Sequence, residues 1–461
     1  MKLLLISPER KRDKKEPFLF KFGFLNLPYI AAVTPDEWEI EMIDEFITPI
    51  TGEEQADLVA LTAQTPVAPR AYKIAEIFRK RGIPVVMGGV HASLLPYEAK
   101  KYVDSVIIGE GEKIWHSVLD DFKRGELKPF YRQNGFIDLN DLPIPRRDLF
   151  KKNGYLPLKL IETTRGCPHH CDFCEVSRFF GYRYRTRSLD KIKEELDLLF
   201  PKREGIDLRK KLLSFISKDL PYFIRKRLLY IIDSNIVSNL SFSIKLFELL
   251  KKYDILWWGH ASVSVGFNDK LLDKMAESGC IALNIGFESL KEENLAIMGK
   301  DFNKPKKYKE AIKNIHDRNI GIMGTFIIGL DQDTTDVFKE IYDFVYENQI
   351  DWALAFILTP YPTTESYKRL KKEGRILTED WEKYDALNSV YMPKNMTPEQ
   401  LEAGQRWLWK NIFSLSSIFR RILRRPWIHP LFYLGMNLQF FQMTRSWKVD
   451  GVFSDKFESK E

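Results

Sequence analysis

Residues 164–174 read TRGCPHHCDFC and hold three of the four cysteines of this 461-residue chain. The three are Cys167, Cys171 and Cys174. Thiolates are soft ligands suited to iron–sulfur clusters, and a structural zinc site or a ferredoxin cluster normally takes a fourth protein ligand. The remaining Cys280 lies more than a hundred residues away. The loop therefore predicts a four-iron, four-sulfur (4Fe–4S) cluster with one iron open to a small molecule; a zinc loop completed by His169 or His170 is the alternative.

The spacing C-x3-C-x-aromatic-C, with Phe173 as the aromatic residue, resembles the signature of the radical S-adenosylmethionine (SAM) enzymes. The resemblance implies that the open iron chelates the amino and carboxylate groups of SAM. It also implies that an electron from the cluster cleaves SAM to a 5′-deoxyadenosyl radical, so that a reductant such as a flavodoxin or a ferredoxin is needed.

The composition indicates a globular protein of two or three domains, since 44% of the residues are hydrophobic. No stretch approaches the roughly 18 uninterrupted apolar residues of a membrane span, and the short apolar run at residues 1–8 fits a buried strand better than a signal peptide. Few and clustered cysteines indicate a reducing compartment, so we expect a cytoplasmic protein. The net charge of +7 is modest for this length and does not favour nucleic acid as a partner.

The first ~130 residues alternate short apolar runs with helical patterns, which is typical of a doubly wound, Rossmann-like α/β sheet. One helix is expected over Arg70–Arg81. Ligands of such sheets bind at the carboxyl ends of strands, where glycine turns allow a close backbone approach. The expected strands are Lys2–Ser7, Glu39–Ile43, Leu58–Thr62, Val85–Met87 and Ser105–Ile108.

Two glycine turns at strand ends carry a second resemblance. Residues 87–92 read MGGVHA and residues 107–112 read IIGEGE, similar to the cobalamin-binding domain that precedes many radical SAM modules. The resemblance implies cobalamin contacts by Gly88, Gly89, His91, Gly109, Glu110 and Gly111. The D-x-H-x-x-G motif is absent, because residues 45–47 after Asp44 read EFI. This departure implies either cobalamin bound without a protein histidine on cobalt or a domain that has lost the cofactor; for His91 itself we expect hydrogen bonds within its own loop.

From Leu158 the pattern strand, loop, helix repeats about six times, as in a partial parallel (β/α)6 barrel, with chemistry at the carboxyl ends of its strands. A helix over Ser188–Phe200 is capped by Ser188, and a solvated helical insertion is expected between Pro201 and Arg227. We divide the chain into a cobalamin-binding domain (1–135), a linker (136–154), a radical SAM barrel (155–395) and a basic, aromatic, helical C-terminal region (396–461).

Polar and glycine residues follow the barrel strands and resemble the family's SAM contacts. Residues 233–235, DSN, resemble an acidic turn, and residues 286–289, GFES, are very similar to the family's G-F-E-S, in which a carboxylate accepts the ribose hydroxyls. Residues 324–330 resemble G-x-I-x-G-L, which packs along adenine. The resemblance implies SAM contacts by Phe173, Asp233, Asn235, Gly286, Glu288, Ser289, Gly324, Ile327 and Gly329.

Three further positions are open at this point. Residues 359–364 are close to T-P-x-P-G-T, but Thr363 replaces the glycine, so the turn geometry is in question. Arg185 and Arg187 either pair with the SAM carboxylate or are solvated residues before a helix. Cys280 is expected to be a small buried hydrophobic residue.

The C-terminal region has no acidic residue between Glu402 and Asp450, whereas eight Lys or Arg and many aromatic residues alternate there. Such a pattern suits an interfacial helix on anionic lipid, at the inner face of the membrane. It equally suits a helical tail that packs its aromatics on the barrel and leaves its arginines in water.

Together these features imply a cobalamin-dependent radical SAM enzyme, most simply a C-methyltransferase. The adenosyl radical would abstract a hydrogen from an unactivated carbon, methylcobalamin would donate a methyl radical, and a second SAM would remethylate the cobalt. The tail favours a hydrophobic small-molecule substrate, a polycyclic lipid or a tetrapyrrole. The alternatives are a cyclase or rearrangement enzyme with the same cofactors, and a non-catalytic cobalamin or iron–sulfur sensor.

Overall fold

The structure, a computed structural model, describes residues 1–10, 22–151, 155–156, 158–201, 227–423, 430–445 and 447. The expected insertion therefore lies outside the described residues except at its two ends.

The N-terminal part is a six-stranded parallel sheet with strand order β2-β1-β3-β4-β5-β6. Its strands are β1 (Lys2–Ser7), β2 (Glu39–Asp44), β3 (Leu58–Thr62), β4 (Val85–Gly88), β5 (Ser105–Ile108) and β6 (Phe130–Arg132). The five predicted strands are confirmed to within one residue. The edge strand β6 was not predicted, because three residues are too few to show a two-residue period.

Helices cover both faces of this sheet, and each face has its own apolar core. Parallel strands buried on both faces read as continuous apolar runs, as β1 and β3 do. The helices are Asn26–Ala32, Ala68–Lys80, Gly89–Leu94, Pro96–Ala99 and Trp115–Lys123.

The second sheet is also six-stranded and parallel, and its strand order, β7-β10-β11-β12-β13-β14, follows the chain, as expected for a partial barrel. Its strands are β7 (Lys159–Ile161), β10 (Leu228–Ile231), β11 (Leu256–Ala261), β12 (Cys280–Glu288), β13 (Gly321–Ile328) and β14 (Trp352–Ile357). A two-stranded antiparallel hairpin, β8 (Thr164–Arg165) with β9 (Arg185–Thr186), brackets the cysteine loop. Cys280 belongs to β12 and is buried, as predicted.

Helices alternate with these strands on the outside of the barrel. Ser188 caps one of them, since its hydroxyl accepts a hydrogen bond from the Lys191 amide at 3.4 Å, which confirms the predicted cap. The helices are Glu175–Phe180, Leu189–Leu199, Leu240–Leu250, Asp269–Glu277, Glu292–Ile297, Tyr308–His316, Val337–Glu347 and Glu365–Lys372.

Three C-terminal helices follow, Pro398–Ile412, Leu415–Leu423 and Pro430–Thr444. The first packs along β14, whereas the second and third lie at the amino-terminal end of the barrel. The Tyr433 hydroxyl donates to the Ile281 carbonyl at the start of β12. A side chain at Gly321, the first residue of β13, would run into the same tyrosine. We call the helices Leu415–Leu423 and Pro430–Thr444 the floor of the barrel.

The described part of the tail packs on the barrel. The aromatic residues Trp409, Phe413, Tyr433 and Phe440 are buried in the barrel core. Arg421, expected in water or on lipid, is also buried, and donates to the Ile350 and Asp351 carbonyls at 2.8 and 3.0 Å. Among the described residues, no helix has the length and apolar character needed to cross a membrane.

The expected linker contributes to a small apolar core between the two sheets. Ile137, Leu139 and Leu142 are buried there against Tyr29 and Leu160. The proline-rich, polar composition of this segment did not reveal its alternate apolar residues as a packed face.

Candidate functional site

A cavity of about 360 Å³ opens at the carboxyl end of the barrel, and the three cysteines of the loop line it. Polar side chains from four strand ends line the same cavity. They are Ser234, Asn235, His260, Asn284, Glu288 and Thr325. A larger depression, of about 670 Å³, lies elsewhere, around Arg79, Tyr102 and Asp104 at the amino ends of β4 and β5, away from the strand ends where glycine turns accumulate.

The cysteine loop is held by its backbone. Gly166 has φ of +84°, and a side chain there would meet the Arg183 carbonyl at 2.3 Å, so only glycine fits beneath the hairpin. The Asp172 amide donates to the Met298 carbonyl at 3.0 Å, and the Asp172 carbonyl accepts from the Ser366 amide at 3.1 Å. The loop is thus tied to the segments after β12 and β14 before any cofactor binds.

The two histidines of the loop stack on aromatic rings. His169 lies on Phe302 with 4.2 Å between ring centroids, and His170 lies on Tyr182 at 3.9 Å. Within the described ranges, no three His, Cys, Asp or Glu side chains converge as a single metal ion would require.

Lys300 is a cavity residue that the sequence did not single out. Its ammonium pairs with Glu288 at 2.5 Å and donates to the Gly286 carbonyl at 3.4 Å. Burial alone would lower the pKa of Lys300, but the Glu288 carboxylate and the Cys171 thiol raise it. The pair brings one anion and one cation to the cavity wall.

Gly286 of the GFES segment lies beside the ends of the Glu288 and Lys300 side chains. A side chain at Gly286 would meet the Glu288 carboxylate at 2.3 Å and the Lys300 ammonium at 2.9 Å. Glu288 itself has φ of +63°, an uncommon conformation for a residue with a side chain. This strained turn aims the carboxylate back over Gly286.

A second polar group in the cavity was also missed. The His260 Nε2 atom lies 2.6 Å from the Tyr230 hydroxyl and 3.4 Å from the Asn284 amide. Burial lowers the pKa of His260 to about 4, so the imidazole is neutral at pH 7. A histidine at the end of the apolar strand β11 was the available sequence signal.

Asp233 corrects one prediction. Its carboxylate accepts hydrogen bonds from the amides of Thr163 and Thr164 at 2.7 and 3.0 Å, and from the Thr163 hydroxyl. Burial raises its pKa to about 6, against these hydrogen bonds, which lower it. Asp233 therefore fixes the end of β7, and the next residues, Ser234 and Asn235, line the cavity instead.

Three other predicted SAM contacts face protein. Ser289 is buried and accepts from the Lys291 amide at 3.1 Å. A side chain at Gly324 would meet Ile350 and Phe287 at 3.2 Å, so this position faces the core. Its neighbour Thr325 lines the cavity, as the alternation of a strand requires.

Gly329 is set by packing as well. It has φ of +85°, and a side chain there would meet Leu401 and the Tyr391 hydroxyl at 2.5 Å. Ile327 is half-buried against the barrel core. Phe173 is half-buried as well, but it lines the cavity, as predicted.

Arg185 and Arg187 match neither of the two expectations. Arg187 is buried and pairs with Glu195 at 2.5 Å, and Arg185 pairs with Glu110 at 3.0 Å. Both guanidinium groups are used within the protein.

Thr363 keeps the turn that glycine would form. Its φ is +67°, in the region that glycine favours, so the geometry is retained at the cost of backbone strain in a β-branched residue. Its hydroxyl is buried and has no hydrogen-bond partner among the described residues.

The glycine turns of the first sheet lie side by side at its carboxyl edge. Gly89 has φ of +90°, and a side chain there would meet Thr62 and Ala63 at the end of β3. The Ser93 hydroxyl donates to the Gly89 carbonyl at 2.8 Å and accepts from the Gly109 amide at 3.0 Å. Gly88 and Gly111 have only ordinary contacts, so the edge presents backbone rather than side chains.

His91 is fully buried, and its partners lie outside its own loop. Its Nε2 atom lies 2.9 Å from the Tyr72 hydroxyl and 3.4 Å from Glu98, and its Nδ1 atom lies 3.3 Å from the Thr65 hydroxyl. Both ring nitrogens are occupied, so His91 does not project toward a ligand.

Glu110 points to the barrel rather than to the edge of its own sheet. It is buried between Arg165 and Arg185, each at 3.0 Å. The helix Gly89–Leu94 contacts the helix Glu175–Phe180, which directly follows the cysteine loop. The carboxyl edges of the two sheets therefore meet, with the cysteine loop on one side and the glycine turns on the other.

Comparison with known protein families gives two matches in the same order as the two sheets. Residues 24–119 match the B12 binding domain, and residues 215–345 match the Radical SAM superfamily.

Two curated relatives come from Chlorobaculum tepidum. One is bacteriochlorophyllide d C-8(2)-methyltransferase, 30% identical over 87% of this chain and 87% of the relative. The other is bacteriochlorophyllide d C-12(1)-methyltransferase, 29% identical over 87% of this chain and 85% of the relative.

One solved structure shares the whole fold. It is the radical S-adenosylmethionine methyltransferase TsrM from Kitasatospora setae with cobalamin and a 4Fe–4S cluster bound. The match has a TM-score of 0.67 at 14% identity and covers 96% of this chain and 99% of that one. The likeness includes the C-terminal part of the chain beyond the barrel.

Proposed function

Since the chain belongs to the radical SAM enzymes that carry a B12-binding domain, we propose that it is a cobalamin-dependent C-methyltransferase acting on a tetrapyrrole. The observation that carries the proposal is the meeting of the two carboxyl edges, which brings the cysteine loop opposite the glycine turns. A methyl transfer that needs both cofactors requires such an arrangement.

The residues of the barrel cavity fit a cluster and SAM. Three half-buried thiols from one loop suit a 4Fe–4S cluster with one iron left to SAM. Burial raises the pKa of Cys171 to about 12, so the thiols must lose protons as the cluster assembles. Glu288, Lys300 and Asn235 would hold the polar groups of SAM.

The residues where the two domains meet suit cobalamin without a side-chain ligand on cobalt. On the barrel side, the Glu175 Oε2 atom and the Thr363 hydroxyl are buried without partners among the described residues, free to bind amide groups. On the other side, Gly88, Gly109 and Gly111 present backbone. His91 is excluded as a ligand because both its nitrogens are engaged.

When bound, the cluster and SAM supply a hydrogen-abstracting radical, and cobalamin supplies the methyl group. The chain holds the substrate carbon between the two sites and excludes water. Phe302, stacked on His169, covers one wall of the cavity. The neutral His260, with its Nε2 atom at Tyr230, can hydrogen-bond a substrate without adding charge to a radical site.

The substrate class follows from the relatives and from the tail. Both curated relatives are named for bacteriochlorophyllide d, a tetrapyrrole, and their identity extends over most of the chain. The basic, aromatic tail suits a lipid, but four of its aromatic residues, Trp409, Phe413, Tyr433 and Phe440, are buried in the barrel core. A tetrapyrrole is therefore preferred to a polycyclic lipid, and contact with a membrane surface is not needed. We retain a flavodoxin or ferredoxin as the electron donor.

The test is anaerobic reconstitution with iron, sulfide and hydroxocobalamin, followed by turnover with dithionite and SAM carrying a trideuterated methyl group. Chlorophyllide serves as the tetrapyrrole and hopene as the lipid, and Cys171→Ala is the control. We expect 5′-deoxyadenosine and a chlorin in which a trideuteromethyl group replaces one hydrogen. Label in hopene alone would contradict the tetrapyrrole, and a ring-closed chlorin without label would replace methyl transfer by cyclisation.

A further inference from the structure

The two cofactor domains are joined by a buried cluster of charges centred on Arg165, two residues before Cys167. Its guanidinium pairs with Glu110 at 3.0 Å, Glu112 at 2.8 Å and Glu162 at 2.9 Å. Glu110 and Glu112 belong to the glycine turn after β5, and Glu162 follows β7. One cation thus binds both domains at the root of the cysteine loop.

A second arginine reinforces this cluster. Arg185 faces Arg165 across the hairpin β8–β9 and pairs with Glu110 at 3.0 Å. It also donates to the Ile137 carbonyl at 2.9 Å, and the Ile137 amide donates to Glu110 at 3.2 Å. Glu110 is thereby held by two guanidinium groups and one amide.

The surroundings of Arg165 leave it little freedom. Its side chain is 5% exposed, and its guanidinium lies over the rings of Tyr29 at 5.4 Å and Phe180 at 5.5 Å. Tyr29 belongs to the first domain and Phe180 to the barrel. A planar group with fixed donors, clamped between two rings, defines both distance and angle between the parts it joins.

The domains are also joined away from the cysteine loop, where Arg10 pairs with Asp385 at 2.5 Å and the Trp381 indole donates to Glu98 at 2.9 Å. An exposed pair serves as the comparison. Lys73 pairs with Glu382 at 3.4 Å, and both side chains are exposed. Exposed pairs contribute little and are easily rearranged, whereas a buried arginine that loses a carboxylate partner leaves an uncompensated charge.

We infer that Arg165 is a positioning residue, which sets the separation of the cluster and the cobalamin by clamping the glycine turn Gly109–Glu112 to the cysteine loop. This inference rests on the proposed function for its second cofactor. It adds a role for the Glu110 and Glu112 carboxylates, which would act between the domains and not on cobalamin itself.

The test measures the mutual proximity of the two cofactors without turnover. The full chain is reconstituted with iron, sulfide and hydroxocobalamin and reduced, and the power saturation of the cob(II)alamin electron paramagnetic resonance signal is recorded. A nearby reduced cluster speeds relaxation, so the natural chain should need more power for half-saturation than Cys171→Ala. In Arg165→Lys and Glu110→Gln we expect most of this excess to be lost, because the relaxation enhancement between two paramagnetic centres falls steeply with the distance between them. In Lys73→Met it should be unchanged.

Iron content, cobalamin content and melting temperature are measured on the same samples. Unchanged saturation in both variants would overturn the inference. So would loss of both cofactors in parallel with a fall in melting temperature in both, because the cluster of charges would then be merely structural. The inference would also be overturned if the natural chain bound cobalamin but needed no more power for half-saturation than Cys171→Ala. A natural chain that retained no cobalamin would instead refute the proposed function.

Discussion

The two ends of the barrel differ in how their polar groups are used. At the carboxyl end, Glu288, Lys300 and His260 line a cavity and keep atoms directed into it. At the amino end, Arg421 is buried under the tail, where it donates to three backbone carbonyls and to the Asn437 side chain. The same parallel strands thus end in a site on one side and in a sealed floor on the other.

The difference shows that stability and chemistry are separated along the strand axis. The Asp351 carboxylate accepts from the Ile322 amide at 2.7 Å and lies 3.0 Å from His316, while the Asn437 amide donates to the Asp351 carbonyl at 3.0 Å. Because the polar groups at the amino end bind one another, this end stabilises the barrel. That stability can offset backbone strain at the carboxyl end, such as the positive φ of Glu288 and Thr363. Changes at the floor should therefore alter stability, and changes at the site should alter ligand binding.

The largest difference between an effect on cofactor binding and an effect on stability is expected from Cys171→Ala. The thiol is half-buried and lines the cavity, so its loss should abolish the cluster and SAM cleavage while moving the melting temperature of the apo chain little. Iron content, 5′-deoxyadenosine formation and circular dichroism check both parts. A variant that unfolds would show that the cysteine loop, and not only the floor, supports the barrel.

At the floor, Arg421→Met should lower the free energy of unfolding by about 3 kcal/mol, because several buried acceptors lose their donor. The matched control is Arg420→Met on the same helix, whose guanidinium is exposed and lies over Tyr346 at 4.2 Å, with an expected loss of about 1 kcal/mol or less. Denaturant unfolding of the apo chain measures both. Equal losses would mean that the tail is not a specific floor.

The buried His260 of the site should lower the stability of the fold in acid. Burial lowers the pKa of His260 from 6.5 to about 4, so the unfolded chain binds more protons between these values and stability is lost as the pH falls through this window. Between pH 7 and pH 5 the natural chain should lose about 2 kcal/mol more than His260→Gln. Unfolding curves at the two pH values provide the measurement, and parallel losses would contradict a buried neutral imidazole.

The smallest effect concerns the pair of Glu288 and Lys300. Glu288→Gln should weaken SAM binding to the reconstituted chain by about tenfold, or 1.4 kcal/mol. Calorimetric titration with SAM tests this, and Lys300→Met with the double variant gives the coupling between the two residues. Independent effects of the two changes would mean that the pair does not act as a unit at the site.

Several features were accessible without the structure because they are local. The apolar runs of β1, β3 and β5 gave their bounds, and the loop spacing identified three cysteines that line one cavity. The strand β6 was not predicted because three residues are too few to show the two-residue hydrophobic period of a strand. Lys300 was not predicted as a site residue because nothing in the neighbouring sequence distinguishes it from a surface lysine.

The sequence by itself determined the order of the two parallel sheets, the cysteine loop and the glycine turns, since short-range spacing and hydrophobic period fix these. Only the tertiary structure decided which neighbours face the cavity, Thr325 in place of Gly324 and Ser234 in place of Asp233, because strand register and twist set the facing side. It also decided that Glu110 joins Arg165 and that Arg421 lies in the floor. The members of such pairs are far apart along the chain. Which charged groups form a buried pair depends on the packing of the folded protein and cannot be read from the sequence.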